Sequence, residues 1–286
     1  ARAPAPRSWA GSWPVWSETF IQQELSLLLE AGLPLRPVSV FAGNCPRTPA
    51  MPEVAVLRPG HRGDHDKPRL GRAWIRGRLR RQLSILKNSP TIRELFDFLQ
   101  TNEATHVHAA FANLPALLAR AAAQRLGLTY SVSAHAADVF CRRYDDKYLM
   151  KKAAFIDVCN QAAYDDLAQR SPWLADKLHL VRHGLLLDTC PYAPREQLKD
   201  PLQLLVVGRL VAKKDPVAAA RLGRALNRCG IPTAVTFVGD GPLREQTTVE
   251  TLEYEAHFPG VLPPAEVKAR MRRADFLLVC SRELAN

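Results

Sequence analysis

A glycine, an arginine and a pair of lysines follow an apolar run in the second half of the sequence. Residues 202–207 read LQLLVV, Gly208 and Arg209 come next, and Lys213 and Lys214 stand shortly before a proline and an alanine-rich stretch. This pattern predicts a strand, a turn and a helix. The N-terminus of a helix attracts anions. Arginine can donate hydrogen bonds to two phosphate oxygens at once, and lysine adds a point charge. The turn therefore predicts a diphosphate site, although ordinary surface cations beside a helix start would give the same pattern.

A second turn, VGDGP at residues 238–242, offers backbone rather than charge. Gly239 and Gly241 allow the chain to come close to a ligand, and Pro242 suits the first position of a helix. The turn is not GxGxxG, and no acidic residue follows about 20 residues later, where the ribose of NAD would need one. These differences count against a nicotinamide dinucleotide site.

Histidines accompany two further apolar stretches. His135 stands in SAHAAD and can hydrogen-bond or polarise a substrate group, although a lone histidine is more often structural. His106 and His108 form an HxH pair without a set of acidic or cysteine ligands beside it, so no metal is expected there. The six cysteines include no CxxC pair, which argues against zinc and dithiol chemistry.

The elements that would hold these turns alternate between strand and helix, which predicts parallel sheets with helices on both faces. The series occurs twice, separated by a proline-rich stretch. We therefore predict two doubly wound α/β domains, at residues 1–187 and 201–286, joined by a linker at 188–200, with the second domain incomplete. In such sheets ligands bind beyond the carboxyl ends of the strands, which is where the glycine turns and His135 would lie.

Three local predictions concern the first half of the chain. The start, ARAPAPRSWAGSWP, is proline-rich and shows no recognisable strand. The first helix should begin after Ser17 as its N-cap, with Glu18 in the first turn and Gly32 at the end. A loop is expected after the strand at TYSVSA.

The charge is uneven. The net charge is +11, and the densest basic stretch is residues 67–86, where leucines and a tryptophan fall near helical spacing and arginines take another face. This basic amphipathic helix would be a solvated surface helix, a contact to an anionic membrane, or a site for nucleic acid. No run reaches the roughly 20 apolar residues that span a bilayer. Scattered cysteines without a secretory segment favour a reducing, cytoplasmic location.

Taken in order, VVGRLVAKKD, FVGDGPLR, FPGVLPPAEV and RADFLLVCS resemble the donor domain of retaining GT-B glycosyltransferases of the group four type. SETFIQQEL, HVHAAFANLPA, YSVSAHAADVF and VRHGLLLD are similar to the first domain of the subgroup that builds exopolysaccharide and lipid-linked oligosaccharide. The resemblance runs from about residue 14 to 286. It implies a GT-B fold with two Rossmann-like domains facing a cleft.

The resemblance also implies chemistry. A sugar would pass, with retention of anomeric configuration and without a metal, from a UDP- or GDP-linked donor to a glycan or lipid-linked acceptor. Arg209 and Lys214 would bind the donor diphosphate and stabilise the leaving nucleotide, and His135 would face the donor sugar. A lipid-linked acceptor would bring residues 67–86 to the inner face of the membrane, and no specific nucleic acid is implied.

Further residues receive roles from the same resemblance. The donor would contact the turns after the second-domain strands, at Gly208, Gly239, Gly241, Gly260, Val261 and Glu283. The first loop would meet the diphosphate or the acceptor through Ser17, Glu18 and Thr19.

The sequence departs from the family in several places. Residues 212–215 read AKKD where EKKG is frequent, so Asp215 adds negative charge near the phosphates. Ala110 stands where relatives often have a second histidine. Glu283 would be the first glutamate of the donor clamp if the spacer is short, whereas with a longer loop both glutamates would fall beyond Asn286. In either case the second glutamate is absent. Both ends look like cuts, so we expect a fragment with little or no transferase activity.

Two other classes of function stay open. One is a different nucleotide-dependent enzyme on two Rossmann-like domains. The other is a non-catalytic basic protein that binds a membrane or another polyanion, in which Arg76, Arg80 and Arg81 would matter and Arg209 would not.

Overall fold

The computed structural model describes residues 6–15, 18–43, 51–62, 90–141, 146–184 and 197–282. The chain divides into two compact units, residues 1–186 and 187–286. Ser17, Glu283, the basic stretch 67–86 and most of the predicted linker lie outside the described residues. Within the described ranges, no helix is both long and apolar enough to cross a bilayer.

Unit 1 contains a seven-stranded sheet in the order β3-β2-β1-β4-β5-β6-β7. Every pairing in it is parallel. The strands are β1 Pro6–Trp13, β2 Val38–Ala42, β3 Ala55–Arg62, β4 His106–Ala109, β5 Thr129–Ala134, β6 Ile156–Val158 and β7 Leu178–Leu180. The strand order reverses between β1 and β4, and open α/β sheets bind ligands at such a point, beyond the carboxyl ends of the strands.

The first strand corrects the expectation of an irregular start. β1 lies in the middle of the sheet, where Trp9 pairs with Val38 of β2 and with Ala109 of β4. Its sequence, PRSWAGSW, contains no β-branched residue. Its two tryptophans are of a type enriched in strands, but they stand among proline, glycine and small polar residues. Pro6 stands at the first strand position, where its missing N–H is tolerated. Pairing on both sides, rather than local propensity, therefore explains this strand.

Among the described residues, helices follow most of these strands. They are α1 Thr19–Glu30, α2 Pro90–Thr101, α3 Leu114–Leu126, α4 Ala136–Cys141, α5 Asp146–Met150 and α6 Gln161–Arg170, followed by a 3-10 helix, Pro172–Lys177. The N-cap of α1 is Glu18 rather than Ser17, and the Glu18 side chain makes no capping hydrogen bond. The predicted loop after β5 is wrong, because α4 begins there at once.

The two faces of the β4–β6 region differ in chemistry. Val107, Val132 and Ile156 point into the main core of the unit and are at most 1% exposed. Because side chains alternate along a strand, the residues between them belong to the opposite face. That face carries His106, His108, Thr129, Ser131, Ser133 and Asp157.

Unit 2 contains a four-stranded parallel sheet in the order β10-β9-β8-β11. Its strands are β8 Leu202–Val207, β9 Thr233–Val238, β10 Ala256–Gly260 and β11 Phe276–Leu277, and its helices are α7 Pro216–Arg228, α8 Arg244–Glu250 and α9 Pro264–Arg273. Phe237 is fully buried and stacks on Phe258 with ring centroids 4.8 Å apart. Parallel sheets with alternating helices occur in both units, which confirms the predicted α/β class.

Candidate functional site

The first candidate region is the turn that follows β8. Arg209, Lys213 and Lys214 are exposed there, between the strand and α7. Among the described acidic side chains, none forms a salt bridge with Arg209 or Lys214. The Cγ atom of Lys214 lies 3.9 Å from where a Cβ of Gly208 would be, so the lysine stem folds over the glycine. The turn thus presents positive charge that the described part of the protein does not neutralise.

Backbone hydrogen bonds join three turns into one surface at the carboxyl edge of this sheet. Gly208 N donates to Val238 O at 2.9 Å, and Leu210 N donates to Asp240 O at 2.9 Å. The third turn joins them because Gly239 N donates to Gly260 O at 2.8 Å. The predicted positions Gly208, Gly239, Gly241 and Gly260 therefore lie on one continuous backbone surface, and Val261 follows it as an exposed residue.

Two glycines are required by this close approach. Gly239 has φ 134°, and a Cβ added there would collide with the carbonyl oxygen of Gly208. Gly241 has φ 158°, and its Cβ would lie 2.5 Å from the carbonyl oxygen of Leu210. Any side chain at either position would separate the first two turns.

Asp215 does not leave an isolated negative charge beside the turn. It is the N-cap of α7 at φ 45°, and its side chain accepts a hydrogen bond from Ala218 N at 3.3 Å. Arg282 places its Nε 3.2 Å from Asp215 Oδ2, and its backbone N donates to Lys213 O at 3.0 Å. The negative charge of Asp215 is therefore partly neutralised by Arg282, an arginine that sequence reasoning did not identify.

Arg244 is a second arginine that the sequence did not single out. Its Nη2 donates to Phe258 O at 3.0 Å, and its guanidinium carbon lies 5.7 Å from the centre of the Phe258 ring. It also lies 3.9 Å from Asp240, in the Gly-rich turn. An open depression of about 490 Å³ runs from that turn along α8, lined by Asp240, Gly241, Pro242, Arg244, Glu245, Thr248 and Val249.

The second candidate region is the carboxyl edge of the sheet in unit 1. His135 directly follows β5 and lies among three rings, with centroids at 5.0 Å for Phe20, 4.9 Å for Phe111 and 5.4 Å for His183. Phe20 comes from the first turn of α1, next to Glu18 and the exposed Thr19. The structure therefore brings the first turn of α1, which follows β1, to His135, although β4 lies between β1 and β5 in the sheet.

Asp138 of α4 fixes the backbone around His135. Its Oδ2 accepts hydrogen bonds from His135 N at 3.1 Å and from Ala112 N at 3.2 Å. Its Oδ1 accepts from Asn113 Nδ2 at 2.9 Å. The Asp138 carboxylate thus connects the loop after β4 to the turn after β5. The sequence predicted a loop after β5, and the structure has the short helix α4 there instead.

Burial controls the charges at this edge. It lowers the pKa of His135 to about 4, with a further contribution from His183. It raises the pKa of Glu18 to about 7. At neutral pH His135 is therefore an uncharged imidazole, which can donate or accept a hydrogen bond but offers a ligand no positive charge.

The HxH pair has a structural explanation. His106 contacts Thr129 Oγ1 and Ser131 Oγ, each at 2.7 Å. His108 contacts Ser131 Oγ at 2.8 Å and Ser133 Oγ at 2.9 Å, and Ser133 Oγ donates to Asp157 Oδ1 at 2.9 Å. These side chains form one polar ladder across the sheet face. Ala110, at the position for which the resemblance implied a second histidine, is buried with Ile21 and Leu25.

Sequence reasoning missed Cys159 and His183, which the structure brings to His135. Cys159 directly follows β6, and His183 comes three residues after β7. Their position after neighbouring strands was the available signal, since parallel strands present their carboxyl ends along one edge.

A comparison with profiles of known protein families finds no match. In sequence, the chain is 27% identical over 135 residues to the glycogen synthases of two Mycobacterium tuberculosis strains, which covers 46% of this chain. The matched segment spans only 32% of the length of those relatives.

Solved structures share the fold more widely. A glycosyltransferase from Rickettsia africae superposes with a TM-score of 0.61 at 10% identity, covering 98% of this chain and 74% of the other. The lipopolysaccharide outer core galactosyltransferase WaaB gives 0.57 at 14% identity, covering 96% and 74%.

The same fold also occurs in a different class of enzyme. UDP-GlcNAc 2-epimerase from Neisseria meningitidis, solved with UDP-GlcNAc bound, gives a TM-score of 0.55 at 9% identity, covering 96% of this chain and 76% of the other. At these identities the likeness shows the fold alone. This chain therefore has the Rossmann-like α/β fold that GT-B glycosyltransferases and UDP-sugar epimerases share.

Proposed function

We propose that this protein is a retaining glycosyltransferase of the group four type, which moves a sugar from a UDP- or GDP-linked donor to a glycan or lipid-linked acceptor. The observation that carries the proposal is the turn after β8. Arg209 and Lys214 are exposed and unpaired among the described residues, on a backbone surface made of three tied turns. Exposed cations beside a helix start and a glycine-rich surface suit the diphosphate of a nucleotide sugar.

The chemistry follows from where charge develops. The bond between the sugar C1 and the phosphate oxygen breaks, and the nucleotide diphosphate leaves with the electron pair. For the configuration to be retained, the acceptor oxygen bonds to C1 on the face from which the diphosphate departs, and it loses its proton to solvent. Arg209 and Lys214 stabilise the charge on the departing diphosphate, and preorganised positive charge of this kind lowers such barriers strongly. We propose that no metal is needed for this step, since these side chains supply the charge.

Further residues are assigned to the donor and the acceptor within the same proposal. The backbone at Gly239, Gly241 and Gly260 lies beneath the nucleotide, next to Val261. His135 contributes an uncharged imidazole to the donor sugar, while Glu18 and Thr19 at the start of α1 meet the diphosphate or the acceptor. Ser17, Glu283 and the proposed membrane contact at residues 67–86 lie outside the described residues and stay predictions.

A second candidate function is a nucleotide-sugar epimerase, because the fold is shared with UDP-GlcNAc 2-epimerases. The two functions differ in their products. An epimerase converts UDP-GlcNAc to an isomeric sugar without an acceptor, whereas a transferase leaves the sugar unchanged until an acceptor is present. Proton NMR of UDP-GlcNAc incubated with the protein alone separates them, and new sugar signals with UDP still attached would favour the epimerase.

The proposal is tested by a thermal-shift screen against UDP, GDP, ADP and their sugars. We expect one nucleotide series to raise the melting temperature of the wild-type protein, and Arg209→Ala and Lys214→Ala to abolish the rise. Arg228→Ala is the matched control, because Arg228 is an exposed arginine of the same unit that pairs with Glu253. No rise with any nucleotide, or an equal rise in the variants, would overturn the assignment of the donor site.

A further inference from the structure

Three neighbouring strand ends bring a histidine, a cysteine and a second histidine together in unit 1. His135 follows β5, Cys159 follows β6 and His183 follows β7, and these strands are adjacent in the sheet. One ligand atom from each residue lies within 4.8 Å of the corresponding atoms of the other two. Each of these residues is 24 positions from the next in sequence, so neither a CxxC nor an HxH pattern reveals them.

The atoms offered by this cluster select a class of metal. Two imidazole nitrogens and a thiolate sulfur are the donors that zinc prefers, at about 2.0–2.1 Å for nitrogen and about 2.3 Å for sulfur. Tetrahedral coordination at those bond lengths requires donor atoms roughly 3.5 Å apart, so small side-chain rotations would close the cluster around an ion. Magnesium and calcium need oxygen ligands, which these three side chains do not provide.

A second observation concerns His135 itself. Its Nδ1 is buried, has no hydrogen-bond partner among the described residues, and lies 3.9 Å from Asp138 Oδ2. Zinc-binding histidines commonly turn their other ring nitrogen towards a carboxylate, which orients the ring. Coordination through Nε2 would leave the His135 Nδ1 proton to donate to Asp138, a carboxylate already fixed by Ala112 N and His135 N.

The surroundings also suit a bound ion. Phe20 lies against both histidines, with ring centroids 5.0 Å from His135 and 4.5 Å from His183. Phe111 covers His135 from another direction at 4.9 Å. Apolar walls of this kind limit water at a metal site, while the exposed His183 leaves a path for the ion to enter.

We propose that His135, Cys159 and His183 form a binding site for Zn²⁺, with the Cys159 thiol releasing its proton to solvent when the metal binds. The site provides three protein ligands and leaves a fourth position open to water. The proposal does not depend on the proposed transferase function. If both are correct, bound zinc occupies His135 and therefore withdraws it from the donor sugar, so zinc inhibits transfer.

The test is a titration of the reduced, metal-free protein with Co²⁺, a spectroscopic substitute for Zn²⁺. We expect one equivalent to give thiolate-to-cobalt charge-transfer absorption and the strong visible bands of tetrahedral cobalt, and Zn²⁺ to remove both. Cys159→Ser should lose the charge-transfer band, and His183→Ala should weaken binding at least tenfold. Since His183 is exposed in a connecting segment, its substitution should leave the fold intact by circular dichroism.

Two controls separate this site from others in the chain. Cys229→Ser removes an exposed cysteine of unit 2, and His179→Ala removes an exposed histidine of unit 1. Both should bind cobalt like the wild type. The proposal is overturned if the wild type shows no thiolate band, or if Cys159→Ser and Cys229→Ser behave alike. Nucleotide binding measured on the same metal-free samples reports on the donor site separately.

Discussion

The two candidate regions both lie at the carboxyl edges of their sheets, but they differ in the groups that form them. The region in unit 2 consists of backbone and exposed cations, with glycines that allow three turns to touch. The region in unit 1 consists of side chains, where a buried imidazole lies among phenylalanine rings beside a cysteine and a second histidine. A diphosphate needs charge and N–H donors, whereas a soft metal or a sugar hydroxyl needs uncharged donor atoms in a less polar setting.

This difference teaches that strand ends alone do not define a site. Both sheets present turns at their carboxyl edges, but the environment of those turns decides what they can bind. Burial keeps His135 uncharged, with its pKa lowered to about 4. Exposure keeps Arg209 and Lys214 hydrated and available to an anion. The predictions below test whether backbone contact, burial and charge act separately in the two regions.

The largest effect is expected from adding a side chain where the turns of unit 2 touch. Gly239→Ala would force a Cβ into the carbonyl oxygen of Gly208, so we expect a loss of about 3 kcal/mol in the free energy of unfolding. Gly230→Ala is the matched control, because Gly230 also has a positive φ, 76°, but no atom of the described residues lies within 4 Å of an added Cβ. Its cost should be about 1 kcal/mol.

Urea unfolding of both variants measures the difference. Equal losses in Gly239→Ala and Gly230→Ala would mean that φ alone matters and that the contact between the turns does not. That result would weaken the description of the glycine-rich surface.

The next largest effect concerns the polar ladder of unit 1. Burial lowers the pKa of His108 to about 4, and His106 and His135 contribute further. Since the unfolded histidine binds its proton near pH 6.5, the stability contributed by an uncharged His108 is present above pH 6.5 and is lost as the pH falls towards 4. We expect a loss of about 3 kcal/mol over that window, since one pKa unit corresponds to about 1.4 kcal/mol.

The measurement compares the free energy of unfolding of the wild type with that of His108→Gln from pH 7 to pH 4. Taking the difference between the two proteins removes the contributions of other titrating groups. The stability difference between them should shrink as the pH falls, because only the wild type carries this titration. His179→Gln controls for loss of an exposed histidine in the same unit. A difference that stays constant with pH would contradict the burial of His108.

The smallest effect is the response to salt. Binding of a nucleotide diphosphate to exposed Arg209 and Lys214 should weaken several-fold between about 50 and about 200 mM salt, since exposed charges are screened over about 10 Å. Binding of Co²⁺ to the cluster in unit 1 should change less over the same range. Calorimetry of both ligands at matched salt concentrations measures this. An equal salt dependence for the two ligands would contradict the claim that exposed charge matters more in unit 2 than in unit 1.

Much of the fold follows from patterns in the sequence. Apart from Gln203, LQLLVV and TAVTFV consist of apolar or β-branched residues and are followed by glycine, so the sequence predicts both β8 and β9. β1 is not visible, because PRSWAGSW has no such run and its place in the sheet depends on partners about 30 and about 100 residues away. Likewise α4 is short, and its position depends on Asp138 bonding to the loop after β4.

The candidate sites are also predictable to different degrees, because one is formed by residues close together in sequence and the other by residues far apart. The basic turn at Arg209 and Lys214 is local in sequence, so its composition predicts its chemistry. The cluster of His135, Cys159 and His183 is assembled by strand order, which the spacing of single residues does not reveal. Arg282 and Arg244 were missed because they reach the turns from later elements.

The most direct test of the central claim is calorimetry of the diphosphate contribution at the turn after β8. The titration compares UDP, UMP and uridine, or the equivalent series of whichever base binds, with wild type, Arg209→Ala and the control Arg228→Ala. We expect the diphosphate to bind at least tenfold more tightly than the nucleoside, and Arg209→Ala to remove most of that difference while Arg228→Ala leaves it unchanged. Equal affinity for diphosphate and nucleoside, or an unchanged difference in Arg209→Ala, would contradict the account.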